Sequence, residues 1–146
     1  MSIRPIRHAQ EQDCLGIARL TTQLGYPASE DEVRLRLQRL LASPNDMVFV
    51  AESPEGLLVG WVHGFLSQLL ESDYRVEIGG LVVDENFQRQ GIGRALISRI
   101  EQWAMERGVN QASVRCKTTR LEAHQFYENL GYSSTKTQIT FRKRLN

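Results

Sequence analysis

Six residues, Gln88 to Gly93 (QRQGIG), stand between an apolar run, Ile78 to Val83, and a strongly periodic stretch that begins near Gly91. A strand, a glycine-bearing turn and a helix start, in that order, leave several backbone N–H groups without partners at the positive end of the helix dipole. An anion fits there. Gly91 and Gly93 carry no Cβ, so the backbone can approach phosphate oxygens, and Arg89 and Arg94 flank the turn with positive charge. The chemistry this pattern serves is the holding of a pyrophosphate. The plain alternative is an ordinary loop, because glycines two apart also arise by chance. A dinucleotide fingerprint requires a small residue three positions after the second glycine, where Leu96 stands, and an acidic residue about 20 positions on, where Gln111 to Arg115 offers none. A P-loop fails as well, since no Gly-Lys-Ser/Thr follows.

The elements that must position this turn can be read from periodicity. Ser2 to His8 is short and marked by Pro5, which allows an edge strand. Ala9 to Leu24 carries Leu15, Ile17, Ala18, Leu20 and Leu24 at helical spacing and stops at Gly25. Ser29 with Glu32 forms a capping box that opens a second helix running toward Pro44. Met47 to Glu52 and Leu57 to Leu69, joined at Pro54 to Gly56, read as an antiparallel hairpin, and Tyr74 to Val83 as the next strand. Gly79 and Gly80 in its middle suit a bulge where the strand splays and admits a ligand. Gly91 to Arg107 places Leu96, Ile97, Ile100, Trp103 and Ala104 on one face and stops at Gly108. Ala112 to Lys117 is a short strand, Leu121 to Leu130 a compact helix ending at Gly131, and Thr135 to Lys143 a last strand. The order β-α-α-β-β-β-α-β-α-β with one β-α-β crossover predicts an α+β fold with a mixed sheet.

Composition bounds the function. With 146 residues, 41% of them hydrophobic, one globular domain over 1–146 can bury a core of its own. Eighteen basic side chains against 17 acidic ones give a net charge of +1, so nothing in the bulk charge favours nucleic acid or a membrane surface as partner. No apolar run approaches the roughly 18 residues of a membrane helix, and MSIRPIRH has no apolar segment behind its charges, which predicts a cytoplasmic protein. Cys14 and Cys116 fall in different elements and read as reduced, packed thiols. His8, His63 and His124 lack metal-ligand spacing, so no metal is expected.

Two motifs carry a family resemblance. The string VVDENFQRQGIGRALI resembles the acetyl-CoA signature of the GNAT N-acetyltransferase superfamily, Q/R-x-x-G-x-G/A after a bulged strand, with Gln88, Gly91 and Gly93 in the motif positions. RLEAHQFYENLGY, Arg120 to Tyr132, is similar to the family's second motif, which Ala123, Phe126, Tyr127, Gly131 and Tyr132 fit. The family usually has Asn where this chain has Arg120, which could reach a phosphate or carbonyl instead. The resemblance covers essentially the whole chain. It implies the GNAT fold, a mixed, mostly antiparallel central sheet of about six to seven strands flanked by four helices, and acetyl-CoA as cosubstrate.

What the resemblance implies for the site follows residue by residue. Leu81, Val82 and Val83 would bond the pantetheine arm as an added strand. Gln88, Arg89, Gln90, Gly91, Ile92, Gly93 and Arg94 would cradle the pyrophosphate, and Arg120 would assist. The N–H of Val82 is the candidate oxyanion donor. Tyr127 is the expected general acid for the leaving thiolate, against the alternative of a packed tyrosine bonded to backbone. Glu77 is the expected general base, against a cross-strand surface pair or a base supplied by water. Tyr26, Glu71, Asp73 and His63 are candidates for gripping the amine, each also readable as a loop anchor, a solvated turn or a strand residue. Trp61 and Trp103 read as core. Neither cysteine is placed by a motif near the thioester, so direct transfer in a ternary complex to a small-molecule primary amine is expected. The alternatives are a protein or peptide N-acetyltransferase and a non-catalytic acyl-CoA sensor. A homodimer through a sheet edge is a further expectation.

Overall fold

The computed structural model describes residues 3–146, so Ser2, at which the sequence places the start of the first strand, lies outside the described residues. The chain forms two units, the first running through Val114 and the second starting at Arg115.

The first unit is built on a five-stranded sheet in the order β1 (Arg7–His8), β2 (Asp46–Glu52), β3 (Leu58–Leu69), β4 (Ser72–Val83), β5 (Ala112–Val114). All neighbours are antiparallel except β4 and β5. β1 is only two residues long; Pro5 before it has no N–H to give to a ladder, and the Arg4 N–H donates to the Glu52 carbonyl of β2 at 2.9 Å. Three helices cover this sheet: α1 (Cys14–Leu24), α2 (Glu30–Ala42) and α3 (Ile92–Glu106). α1 follows a short 3-10 turn, Glu11–Asp13, and ends at Gly25 with φ of 108°, a left-handed position that glycine adopts without strain. The predicted capping box of α2 is present in both directions, Ser29 Oγ accepting from the Glu32 N–H at 3.1 Å and Glu32 Oε1 from the Ser29 N–H at 2.9 Å.

The alternation of β3 separates two packed faces. Gly60 and Gly64 lie against Ile92, Leu96 and Ile100 of α3, where a Cβ would meet those side chains at 2.9–3.3 Å. The opposite face carries Val48, Val50, Leu58 and Val82 into a cluster with Ile17, Ala18 and Leu20 of α1 and Val33 and Leu37 of α2, and Trp61 packs on it. Trp103 is buried, as its spacing on α3 requires.

The second unit holds α4 (Leu121–Asn129), ending before Gly131 with φ of 97°. Residues 133–146 carry neither helix nor strand, so the strand expected over 135–143 is absent and the sheet has five strands rather than six to seven. Ile139, Phe141 and Leu145 are 80%, 89% and 84% exposed. Their two-residue alternation is a strand pattern, but a strand exists only when a neighbouring edge accepts its hydrogen bonds, and the pattern holds no information about that edge.

Candidate functional site

The middle of β4 departs from regular pairing where the glycines stand. β3 and β4 keep one register from Gly60–Val83 to His63–Gly80 and another from Gly64–Ile78 onward, which leaves Gly79 as the extra residue of a bulge. Side chains from β3 explain why both positions are glycine. A Cβ on Gly80 would sit 2.8 Å from the Trp61 ring, and one on Gly79 would sit 3.0 Å from His63 Nδ1. His63 is held from its other nitrogen, with Nε2 2.8 Å from Asp46 Oδ1.

Beyond the bulge, β4 offers an open edge. Its parallel pairing with β5 runs only from Val76 to Ile78. The Asp84 N–H donates to the carbonyl of Val59, directly opposite, at 2.8 Å. In an antiparallel ladder the bonded pairs recur every second residue, so Val82 and Gly80 also direct their backbone groups toward β3, while Leu81 and Val83 direct theirs outward. This corrects the expectation that the Val82 N–H would be the exposed donor: that group faces β3, the Val82 side chain is buried, and the outward N–H groups are those of Leu81 and Val83.

The loop that follows is pinned at its start. Asp84 is 2% exposed; its Oδ1 accepts from the Asn86 N–H at 2.9 Å and its Oδ2 from Arg19 Nη1 at 2.8 Å. Burial alone would raise this carboxyl's pKa, but the Asn86 N–H and the Arg19 guanidinium outweigh it and hold it below the ordinary carboxylate value. Arg19 Nη2 also donates to the Leu58 carbonyl at 2.6 Å, and the Glu85 N–H donates to Gln23 Oε1 at 3.1 Å, so α1 clamps the loop to the sheet. Gln88 Nε2 donates to the outward carbonyl of Val83 at 2.9 Å, so this residue ties the loop back to the strand.

Arg89 and Gly91 then take positive φ, 62° and 82°, and curl the backbone into the N-terminus of α3. No side chain caps this helix, so the N–H groups of its first turn, at Ile92, Gly93 and Arg94, have no side-chain acceptor. Gln90, Arg89 and Arg94 are exposed around them. A 15-residue helix aims its dipole at this spot, which suits a phosphate.

The other expected residues are spread over the molecule. Glu77 is half-buried on β4, opposite Phe65, and accepts the hydroxyl of Ser113 on the parallel neighbour at 2.6 Å. Tyr26 is exposed in the loop between α1 and α2. Glu71 lies in the turn between β3 and β4, and Asp73 accepts a 3.4 Å bond from Gln111. Asp73 and Gly80 are seven positions apart on β4, about 23 Å, so the structure does not gather these acids near the bulge. In the second unit, Tyr127 is 9% exposed between the rings of Phe126 and Tyr132, with centroids 5.0 and 5.6 Å away. Burial pushes its phenol pKa well up, so it stays protonated. Arg120 is exposed at the N-cap of α4, where it makes no side-chain cap.

Three residues of evident importance carry no expectation from sequence: Asp84, Arg19 and Ser113. The pattern Asp-x-Asn after a strand is a signal for the turn Asp84 makes. Nothing local announces Arg19, whose carboxylate partner is 65 positions away.

A bulged strand with an outward-bonding edge, leading through a left-handed loop into an uncapped helix N-terminus, is the architecture of an acyltransferase. The acetyltransferase (GNAT) family matches residues 8–132, and the chain belongs to this family. It is an N-acetyltransferase-type enzyme by that membership. The aminoglycoside N(6')-acetyltransferase type 1 of Serratia marcescens is 25% identical over 130 residues, covering 86% of this chain and 89% of that one. Its counterpart in Stenotrophomonas maltophilia is 26% identical over 145 residues, covering 96% and 93%. The solved structure of aminoglycoside N-acetyltransferase AAC(6')-Iy in complex with CoA superposes with a TM-score of 0.87 at 19% identity, covering 99% of this chain and 98% of that one, and shares the fold.

Proposed function

We propose that this protein transfers the acetyl group of acetyl-CoA to a primary amine of a small molecule, directly, within a ternary complex. The observation that carries the reading is the continuity of two features: the outward groups of Leu81 and Val83 lead, through the eight-residue loop 84–91 clamped by Asp84, into the uncapped N-terminus of α3. An extended arm with amides and a pyrophosphate at its end matches that sequence of donors and acceptors. The relatives named above, one of them bound to CoA, support the same cosubstrate and an amine acceptor.

The residues divide the work as follows. Leu81 and Val83 align the arm; the N–H groups from Gly91 to Arg94, with Arg89, Gln90 and Arg94 around them, hold the pyrophosphate; Gln88 and Asp84 keep the loop in shape. Acetyl-CoA supplies an activated acyl carbon: the amine nitrogen bonds to it, the C–S bond breaks, the sulfur takes up a proton and the nitrogen gives one up. Glu77, on the strand two residues before the bulge, takes the amine proton, and Tyr127, protonated because it is buried, donates to the thiolate, as the second sequence motif suggests. The family match from residue 8 to 132 supports a single acetyltransferase domain over 1–146. The exposed alternation of Ile139, Phe141 and Leu145 supports a homodimer in which a second copy covers it.

The test is calorimetric binding of acetyl-CoA followed by free-thiol release against a panel of primary amines. Binding with release on one amine class is expected. Absence of binding refutes the cosubstrate, and binding without release on any amine refutes turnover on small molecules.

A further inference from the structure

The face of the sheet that carries Trp61 and His63 holds a pocket of about 140 Å³ between β2, β3, α1 and α2. Its walls are Ile17, Val33, Leu37 and Val48, all nearly fully buried. Trp61 and His63 are also the two side chains that lie over Gly80 and Gly79, so the pocket borders the bulge of β4. Resting on the acetyltransferase reading above, we infer that this pocket is the acceptor subsite, and that it takes an amine with one compact apolar group, a single ring or a branched aliphatic chain.

Size, charge and polarity argue together. An apolar cavity of about 150 Å³ is large enough for benzene and stays dry when empty, so 140 Å³ accommodates one ring or a branched chain of four to five carbons. No residue lining it is acidic, and the charged group at its rim is a cation, Arg36. The nearby carboxylates are engaged: Asp46 with His63, and Glu32 with Arg36 at 3.8 Å. A polycation would bring several ammonium groups to a pocket whose lining holds no carboxylate, with Glu77 beside the bulge to receive one of them, and a further unpaired charge is costly to desolvate. A monoamine needs to place only one nitrogen, at the bulge, while its apolar body fills the pocket.

The experiment compares ethylamine, 3-methylbutylamine, 2-phenylethylamine and kanamycin in the thiol-release assay with the full-length protein. Three further buried carbons are expected to raise kcat/KM for 3-methylbutylamine roughly 50-fold over ethylamine, with 2-phenylethylamine at least as good and kanamycin poor. The Leu40→Trp substitution, at the half-buried rim, is expected to reduce that preference to below about 5-fold while acetyl-CoA binds as before. Equal turnover of ethylamine and 3-methylbutylamine by the unaltered protein, or kanamycin as the best substrate, overturns the apolar subsite and leaves the acetyltransferase reading standing. Thiol release with none of the amines despite acetyl-CoA binding overturns both.

Discussion

Replacing Arg19 by methionine leaves the Asp84 carboxylate 98% buried without its cation, at the residue where β4 passes into the phosphate-binding loop. Removing one partner of a buried ion pair typically costs about 3–5 kcal/mol. Here the Asn86 N–H still bonds Oδ1, and the Arg19 side chain is 39% exposed, so water can reach the vacated side. The expected loss is therefore about 2–3 kcal/mol near neutral pH, part of it from the Leu58 carbonyl that loses its 2.6 Å donor. For a chain of this length that is a fall in Tm of roughly 5–10 °C. The pH dependence identifies the cause. In the native protein the Asp84 pKa is lowered, so its contribution is present above the unfolded carboxylate value of about 3.9 and is lost as pH falls through the folded value. Without Arg19 the desolvation that already opposes ionisation is less opposed, and the folded pKa rises above the native one. Protonation then relieves the variant before it affects the native protein, so the stability gap narrows as pH falls from 7 toward 4. Urea denaturation followed by circular dichroism at pH 7.5 and 4.5, on both proteins, measures this. A gap below about 1 kcal/mol at pH 7.5, or one that does not change with pH, would refute the reasoning. Acetyl-CoA affinity should fall in the same variant, because Asp84 shapes the loop.

Four further outcomes are expected. Gly91→Ala puts a side chain at φ of 82° with nothing within 4 Å to clash, so its cost is backbone strain of about 1–2 kcal/mol in chemical denaturation, accompanied by weaker acetyl-CoA binding in calorimetry. Tyr127→Phe should lower kcat by about 100-fold or more with the acetyl-CoA Kd unchanged; unaltered turnover removes the phenol from the mechanism. Glu77→Gln should flatten the rise of kcat with pH, and an unchanged profile assigns the proton to water. Phe141→Asp, which alters a side chain 89% exposed in the single chain, should leave Tm within about 2 °C yet shift the mass measured by light scattering from dimer to monomer; a native chain that is already monomeric ends that proposal.

Much of this fold was legible because it is encoded locally. The stops at Gly25, Gly108 and Gly131 appear at the helix ends with positive φ, and the Ser29–Glu32 box forms as read. The glycine pair of β4 marked a bulge before any register was known, since a strand spares two side chains only where something approaches closely, here Trp61 and His63. The strand expected over 135–143 failed for the complementary reason: its alternation is local, its partner is not.

The sequence by itself determined the helices, the order of the strands, the glycine turn and its charges, because caps, periodicity and φ restrictions act over a few residues. Tertiary structure alone decided which backbone groups of β4 face outward, since that depends on a register set against β3 and moves from Val82 to Leu81 and Val83 with a shift of one residue. It also decided that Asp84 meets Arg19 from 65 positions away, and that Trp61, read only as core, also lines a pocket beside the bulge. Long-range pairs and cavities arise from how whole elements pack, and no local window of the chain contains them.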